Sequence, residues 1–134
     1  MKYALDSDVL IYAASEGHPL GESVRRLLQQ AGPETHVGSV LLLTEVLAKP
    51  LREGRDTELR LLGDLLAALS LRDITRSTAL LATQLAAAYR LRAPDALHLA
   101  SAVEAGADAF LTNNRKDFRP GEILELGVLY PEDL

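Results

Sequence analysis

The chain has 134 residues, 48% of them hydrophobic, a formal net charge of −5 and no cysteine. That is material for one domain (residues 1–134) with a sizeable core, and it excludes disulfides, thiolate zinc sites and cysteine nucleophiles. The negative balance argues against nucleic-acid binding through global charge, the three scattered histidines (His18, His36, His98) form no zinc cluster, and no apolar run reaches the roughly eighteen residues of a membrane span.

The N-terminus meets an acid at Asp6, too early for a signal peptide, so a cytoplasmic protein is expected. Lys2 to Asp6 reads as a short strand that runs straight into the helix-compatible Val9-Leu10-Ile11-Tyr12-Ala13-Ala14. Gly17-His18-Pro19 breaks that segment, and Leu20 to Ala31 resumes as an amphipathic helix with Val24, Leu27, Leu28 and Ala31 on one face, ended by Gly32-Pro33. Thr35 to Gly38 is a second strand. Ser39 then caps a helix through Leu47, stopped near Pro50. Asp56 caps a helix through Leu69, Leu71 to Ile74 is a third strand, and Ser77 to Leu91 a long Ala/Leu helix. Pro94 suits the first turn of a helix that ends before Gly106. Ala109 to Thr112 is a fourth strand, Asn113 to Gly121 a polar loop, and Ile123 to Leu129 contains a fifth strand. Strands separated by helices of this length imply a three-layer α/β/α sandwich around a parallel sheet of about five strands.

Four acids stand out in this frame. Asp6 follows an apolar strand, Glu45 interrupts the run Val40 to Leu47, Asp95 opens a helix and Asp117 lies in the polar loop. A lone buried carboxylate costs several kcal/mol, and Lys49 is the only basic residue at helical spacing from Glu45. A divalent metal is the economical counter-charge, and oxygen ligands favour Mg²⁺ or Mn²⁺. In open parallel sheets ligands bind outside the carboxyl ends of the strands, where Asp6, Ser39, Glu45, Asp95 and Thr112-Asn113-Asn114 can converge. Asp8 is read as the cap of the first helix. His98, three residues beyond Asp95 on the same helical face, is read as a packed or surface side chain. All basic residues except Lys2, Lys49 and Lys116 are arginines, and they group as Lys49, Arg52, Arg55, Arg60 and as Arg115, Lys116, Arg119, spacings that suit phosphate contact as well as a solvated face.

Together these segments carry a resemblance. Leu5-Asp6-Ser7-Asp8-Val9-Leu10-Ile11 resembles the opening motif of PIN domains, Ser39 with Glu45 the second, Pro94-Asp95-Ala96-Leu97-His98-Leu99-Ala100 the third, and Gly106 through Phe118 the fourth. The chain is most similar to VapC-type ribonuclease toxins of toxin–antitoxin pairs. The resemblance implies a metal-dependent endoribonuclease that hydrolyses RNA phosphodiesters, with Asp6, Glu45, Asp95 and Asp117 as catalytic and metal-binding acids. Ser39, Asn114, Arg52, Arg55 and Arg115 are the expected substrate contacts. One departure is visible: many relatives carry Thr-Asn-Asp in the fourth motif, whereas this chain has Thr112-Asn113-Asn114, so the fourth acid is assigned to Asp117.

A cognate antitoxin that places a basic segment in the acidic cleft is a further expectation, and so is a homodimer, because the helices between Val40 and Leu69 carry more apolar surface than one small sheet covers. Two other readings fit parts of the sequence. Asp6-Ser7-Asp8 also resembles the opening of haloacid-dehalogenase-like phosphatases, although Glu45 would then have no role. A PIN-like RNA-binding or RNA-processing module with catalysis weakened by Asn114 is the second.

Overall fold

The computed structural model describes residues 1–30, 32 and 35–134. Five short strands, β1 (Tyr3–Leu5), β2 (His36–Ser39), β3 (Ser70–Arg72), β4 (Ala109–Leu111) and β5 (Gly127–Leu129), pair in parallel in the order β3-β2-β1-β4-β5. Six helices connect them: α1 (Ser7–Ala14), α2 (Gly21–Gln30), α3 (Leu41–Arg52), α4 (Asp56–Ala67), α5 (Arg76–Tyr89) and α6 (Ala93–Glu104). The chain moves outward from β1 to β3 and then crosses to β4 on the other side of β1. Strand order therefore reverses between β1 and β4, which creates a crevice at their carboxyl ends.

Alternation along the strands splits the core into two halves, as a two-residue side-chain period requires. Ala4, Val37, Phe110 and Val128 face α5 and α6, packing with Leu85, Leu99 and Phe118. Leu5 and Leu111 face the other way, onto Val9 and Leu10 of α1, Val24 of α2, Leu42 and Val46 of α3 and Leu62 of α4. Helices thus cover both faces, which is why the strands read as continuous apolar runs.

Several local expectations are corrected. Pro50 does not stop the third helix. It removes one backbone donor inside the final turns, and the chain closes beyond it with Glu53 N–H on the Lys49 carbonyl (3.0 Å) and Arg55 N–H on the Pro50 carbonyl (2.9 Å). The turn completes at Gly54, whose φ of +64° suits a residue without Cβ. Ser39 is the last residue of β2 rather than the helix cap, though its Oγ accepts from Leu41 N–H at 3.1 Å. The cap of α5 is Thr75, which exchanges hydrogen bonds with Thr78. Asp56 lies inside the first turn of α4, not at its cap, and that helix ends at Ala67. The second helix is described to Gln30; Ala31 and Pro33, where its end was expected, lie outside the described residues.

Candidate active site

The β ladder continues one residue past β1 and β4. Asp6 N–H donates to the Leu111 carbonyl (2.9 Å), and Thr112 N–H donates to the Leu129 carbonyl (3.1 Å), so both side chains emerge at the strand-order reversal. Asp6 is 4% exposed. It is also the cap of α1: Oδ1 accepts from Ser7 N–H (2.8 Å), and Oδ2 accepts from the buried Thr112 hydroxyl (2.8 Å). Burial raises its pKa and nearby Glu45 adds to that rise, against the attraction of His98 and the two hydrogen bonds.

Asp8 was expected to cap α1 and does not. It sits in the first turn, where Oδ2 accepts from Asn113 N–H at 2.9 Å while Oδ1 is buried without a partner among the described residues. Its carboxyl is pushed up to about 6, by burial first and by the Asp6 charge second. Asp8 therefore fastens the segment after β4 to the start of α1, a role that separation along the chain concealed.

Glu45 corrects the argument from its apolar surroundings in sequence. On α3 the buried positions are Leu42, Val46 and Pro50, so Leu43, Thr44 and Glu45 occupy the exposed flank, and Glu45 does not carry the burial cost expected of it. Its carboxylate instead reaches His98 Nε2 on α6, and that imidazole is only 1% exposed. His98 is thus a buried residue joined to one of the four acids. The signal available in the sequence was its place one turn beyond Asp95.

Asp95 lies in the first turn of α6 behind Pro94. Its pKa is raised by burial, then by the charges of Asp6 and Asp117, against a smaller pull from Arg92. Asp117 is held in the loop by Asn114, whose amide donates to Asp117 Oδ2 at 3.1 Å. The loop itself is anchored by Phe118, buried against Phe110 with ring centroids 4.9 Å apart. Asn114 N–H donates to Thr112 Oγ1 (3.0 Å), so Thr112 links Asp6 to the segment that carries Asp117. Thr112 is fully buried; the sequence places it at the end of the fourth strand and in the fourth motif but does not reveal its bond to Asp6.

The charges of Asp6, Asp8, Glu45, Asp95 and Asp117 are thereby felt within one cluster. Ser39 is buried at the end of the neighbouring strand. Arg52 is exposed at the far end of α3, about two turns past Glu45. Arg55 follows it and pairs with Glu53 (2.8 Å) and Glu58 (3.2 Å). Arg115 pairs with Glu132 and stacks on the Tyr130 ring at 4.1 Å. The basic side chains are thus exposed, and Arg55 and Arg115 already have acidic partners.

The donor set suits a hard divalent cation. Among the described residues no three Asp, Glu or His side chains converge closely enough to ligate one ion directly. Crowded carboxylates that raise one another's pKa values, with the Asp8 Oδ1 unpartnered among them, match an ion that keeps several of its waters and takes one or two carboxylates directly.

The sequence profile of the PIN domain family matches residues 3–120. The chain belongs to the PIN domain family. PIN domains generally use divalent metal ions, in keeping with this donor set. No curated protein matches the sequence. Solved structures of similar fold include a toxin–antitoxin complex from Klebsiella pneumoniae (24% identity, TM-score 0.76, 97% of this chain and 98% of that one). Another is DNA-bound VapBC from Salmonella typhimurium (18% identity, TM-score 0.77, 98% of each chain). A third is VapC20 of Mycobacterium tuberculosis, described as a toxin that cleaves the sarcin–ricin loop (14% identity, TM-score 0.66, 94% of this chain and 99% of that one). At these identities the likeness is one of fold. The PIN match also removes the ground for a haloacid-dehalogenase-like phosphatase, in which Glu45 had no role. No described helix is long and apolar enough to cross a membrane.

Proposed function

We propose that the protein is a metal-dependent endoribonuclease that hydrolyses RNA phosphodiester bonds, and that it is the toxin of a toxin–antitoxin pair. The observation that carries the chemistry is the cluster of mutually perturbed carboxylates around Asp6 at the carboxyl ends of β1 and β4, in a chain of the PIN family. The toxin assignment is supported by the resemblance to toxin–antitoxin complexes over nearly the whole chain. Residues 1–134 act as a single PIN-like domain in this reading.

Asp6, Glu45, Asp95 and Asp117 would hold Mg²⁺ or Mn²⁺. When bound, the ion would acidify the attacking water and offset charge on the phosphoryl oxygens. The chain's own groups have separate tasks. Asp6 is fixed by two hydrogen bonds, so its free lone pairs have a set direction. Asp117, hydrogen-bonded by the Asn114 amide, would accept a proton from water or complete the cage. Asn114 would line the approach of substrate, Ser39, buried with its Oγ accepting from Leu41 N–H, would act on substrate only by shaping the start of α3, and Arg52, Arg55 and Arg115 would hold RNA phosphates along the flanks. An antitoxin would supply a basic side chain to the acidic cleft, and a homodimer would set two clefts in one groove.

The test is RNA cleavage by highly purified protein with Mn²⁺, with EDTA, and after Mn²⁺ is restored. Wild type should cleave only with metal, while Asp6→Asn and Glu45→Gln should fold normally and lose cleavage. Equal cleavage by all three proteins would refute the assignment. Tight RNA binding by wild type without cleavage would favour the binding or processing module.

A further inference from the structure

We propose that His98 is a positioning residue for Glu45: the buried imidazole holds the Glu45 carboxylate in the orientation in which it serves the metal. This rests on the reading of Glu45 as a metal-site acid. It goes beyond that reading by giving a role to a residue outside the four acids.

Three observations converge on it. Glu45 sits on the exposed flank of α3 with a long, rotamer-rich side chain, and its own helix gives it no hydrogen-bond partner. His98, by contrast, is fixed: its side chain is 1% exposed in the middle of α6, between Leu97 and the core residue Leu99. Its Nε2 faces Glu45 Oε1, and toward a carboxylate that nitrogen must be the donor. The other ring nitrogen, Nδ1, has no hydrogen-bond partner among the described residues. The ring's one polar contact crosses 53 residues of sequence to the acid of another helix.

The consequence is geometric. Asp95 opens α6 and His98 follows one turn later, so a single helix both contributes one acid and aims a second from α3. A mobile glutamate would have to be ordered each time the ion binds, whereas a glutamate tethered to a rigid ring is already ordered. Partners of this kind, one step removed from a metal, typically change its affinity by about 10- to 100-fold.

The experiment is calorimetric titration of Mn²⁺ alone into the metal-free full chain, with thermal melts as the check on folding. His98→Met keeps the volume and removes the donor, and it should weaken Mn²⁺ binding by about tenfold or more. His98→Gln, whose amide nitrogen reaches nearly as far as Nε2, should stay close to wild type, while the shorter His98→Asn should behave like Met. That amide pair gives the same comparison should the Met variant unfold. In a Glu45→Gln background the His98 substitutions should have no further effect, because the coupling runs through that carboxylate.

Loss of affinity in Glu45→Gln with wild-type affinity in His98→Met and His98→Asn would overturn the positioning role and leave the metal-site reading standing. Unchanged affinity in Glu45→Gln would overturn both. Tighter binding in His98→Met would show that the ring competes with the metal for Glu45, and would overturn the proposal as well.

Discussion

Replacing Asp8 with asparagine should stabilise the metal-free protein at neutral pH. The Asp8 carboxyl is raised from 3.8 to about 6, chiefly by burial and then by the charge of Asp6. That difference corresponds to about 3 kcal/mol of stability lost when the group is ionised in the folded state. The sign follows from proton counting. Because the folded value lies above the unfolded one, the folded chain holds the extra proton between about pH 4 and pH 6, and wild-type stability falls as pH rises through that window. An asparagine oxygen can still accept from Asn113 N–H, now at 2.9 Å from Oδ2, so the loop contact survives while the charge is removed. Urea unfolding in EDTA should show Asp8→Asn equal to wild type near pH 4 and more stable by up to about 3 kcal/mol at pH 8, with the urea slope unchanged. A variant no more stable than wild type at pH 8, or a gap independent of pH, would refute this reasoning.

Other substitutions test other parts of the account. Thr112→Val keeps the shape but removes the hydroxyl that donates to Asp6 Oδ2 and accepts from Asn114 N–H; it should cost about 2 kcal/mol in urea unfolding at pH 7, and a change under about 0.5 kcal/mol would deny the link between Asp6 and the loop. Gly21→Ala would place a Cβ 2.2 Å from the Tyr12 carbonyl oxygen, a backbone atom that cannot step aside, so the packing of α1 on α2 should weaken by about 3 kcal/mol; a melting temperature equal to wild type would contradict it. Reversing Arg52 and Arg55 to Glu should weaken RNA binding and flatten its salt dependence while Mn²⁺ affinity stays the same; an unchanged salt slope would remove these residues from the RNA path.

What the sequence made legible was whatever depends on near neighbours. The Asp6 position could be read because an apolar strand ends there, and α6 because Pro94 opens it and Gly106, at φ +70°, closes it. The parallel sheet followed from strands alternating with helices. Pro50 misled because a proline near a helix end costs only one backbone bond. Glu45 misled in another way: the residues on both sides of Thr44 and Glu45 between Val40 and Leu47 are apolar, yet Leu42 and Val46 are the fully buried ones among them and the acid looks outward. The contacts of Thr112 with Asp6, Asn113 with Asp8 and His98 with Glu45 span 106, 105 and 53 residues. Contacts at that range come from strand order and helix packing, which local spacing does not encode. The fourth-motif departure, Asn114 in place of an acid, takes on meaning only beside its hydrogen bond to Asp117.

The central claim, that these acids form one metal site, is tested most directly by an anomalous difference map from crystals of the protein soaked in Mn²⁺. The account predicts a peak between the carboxylates of Asp6 and Asp95, with waters completing its coordination, and the loss of that peak in crystals of Asp6→Asn. A cleft without anomalous density at saturating Mn²⁺, or a peak that persists in Asp6→Asn, would contradict it.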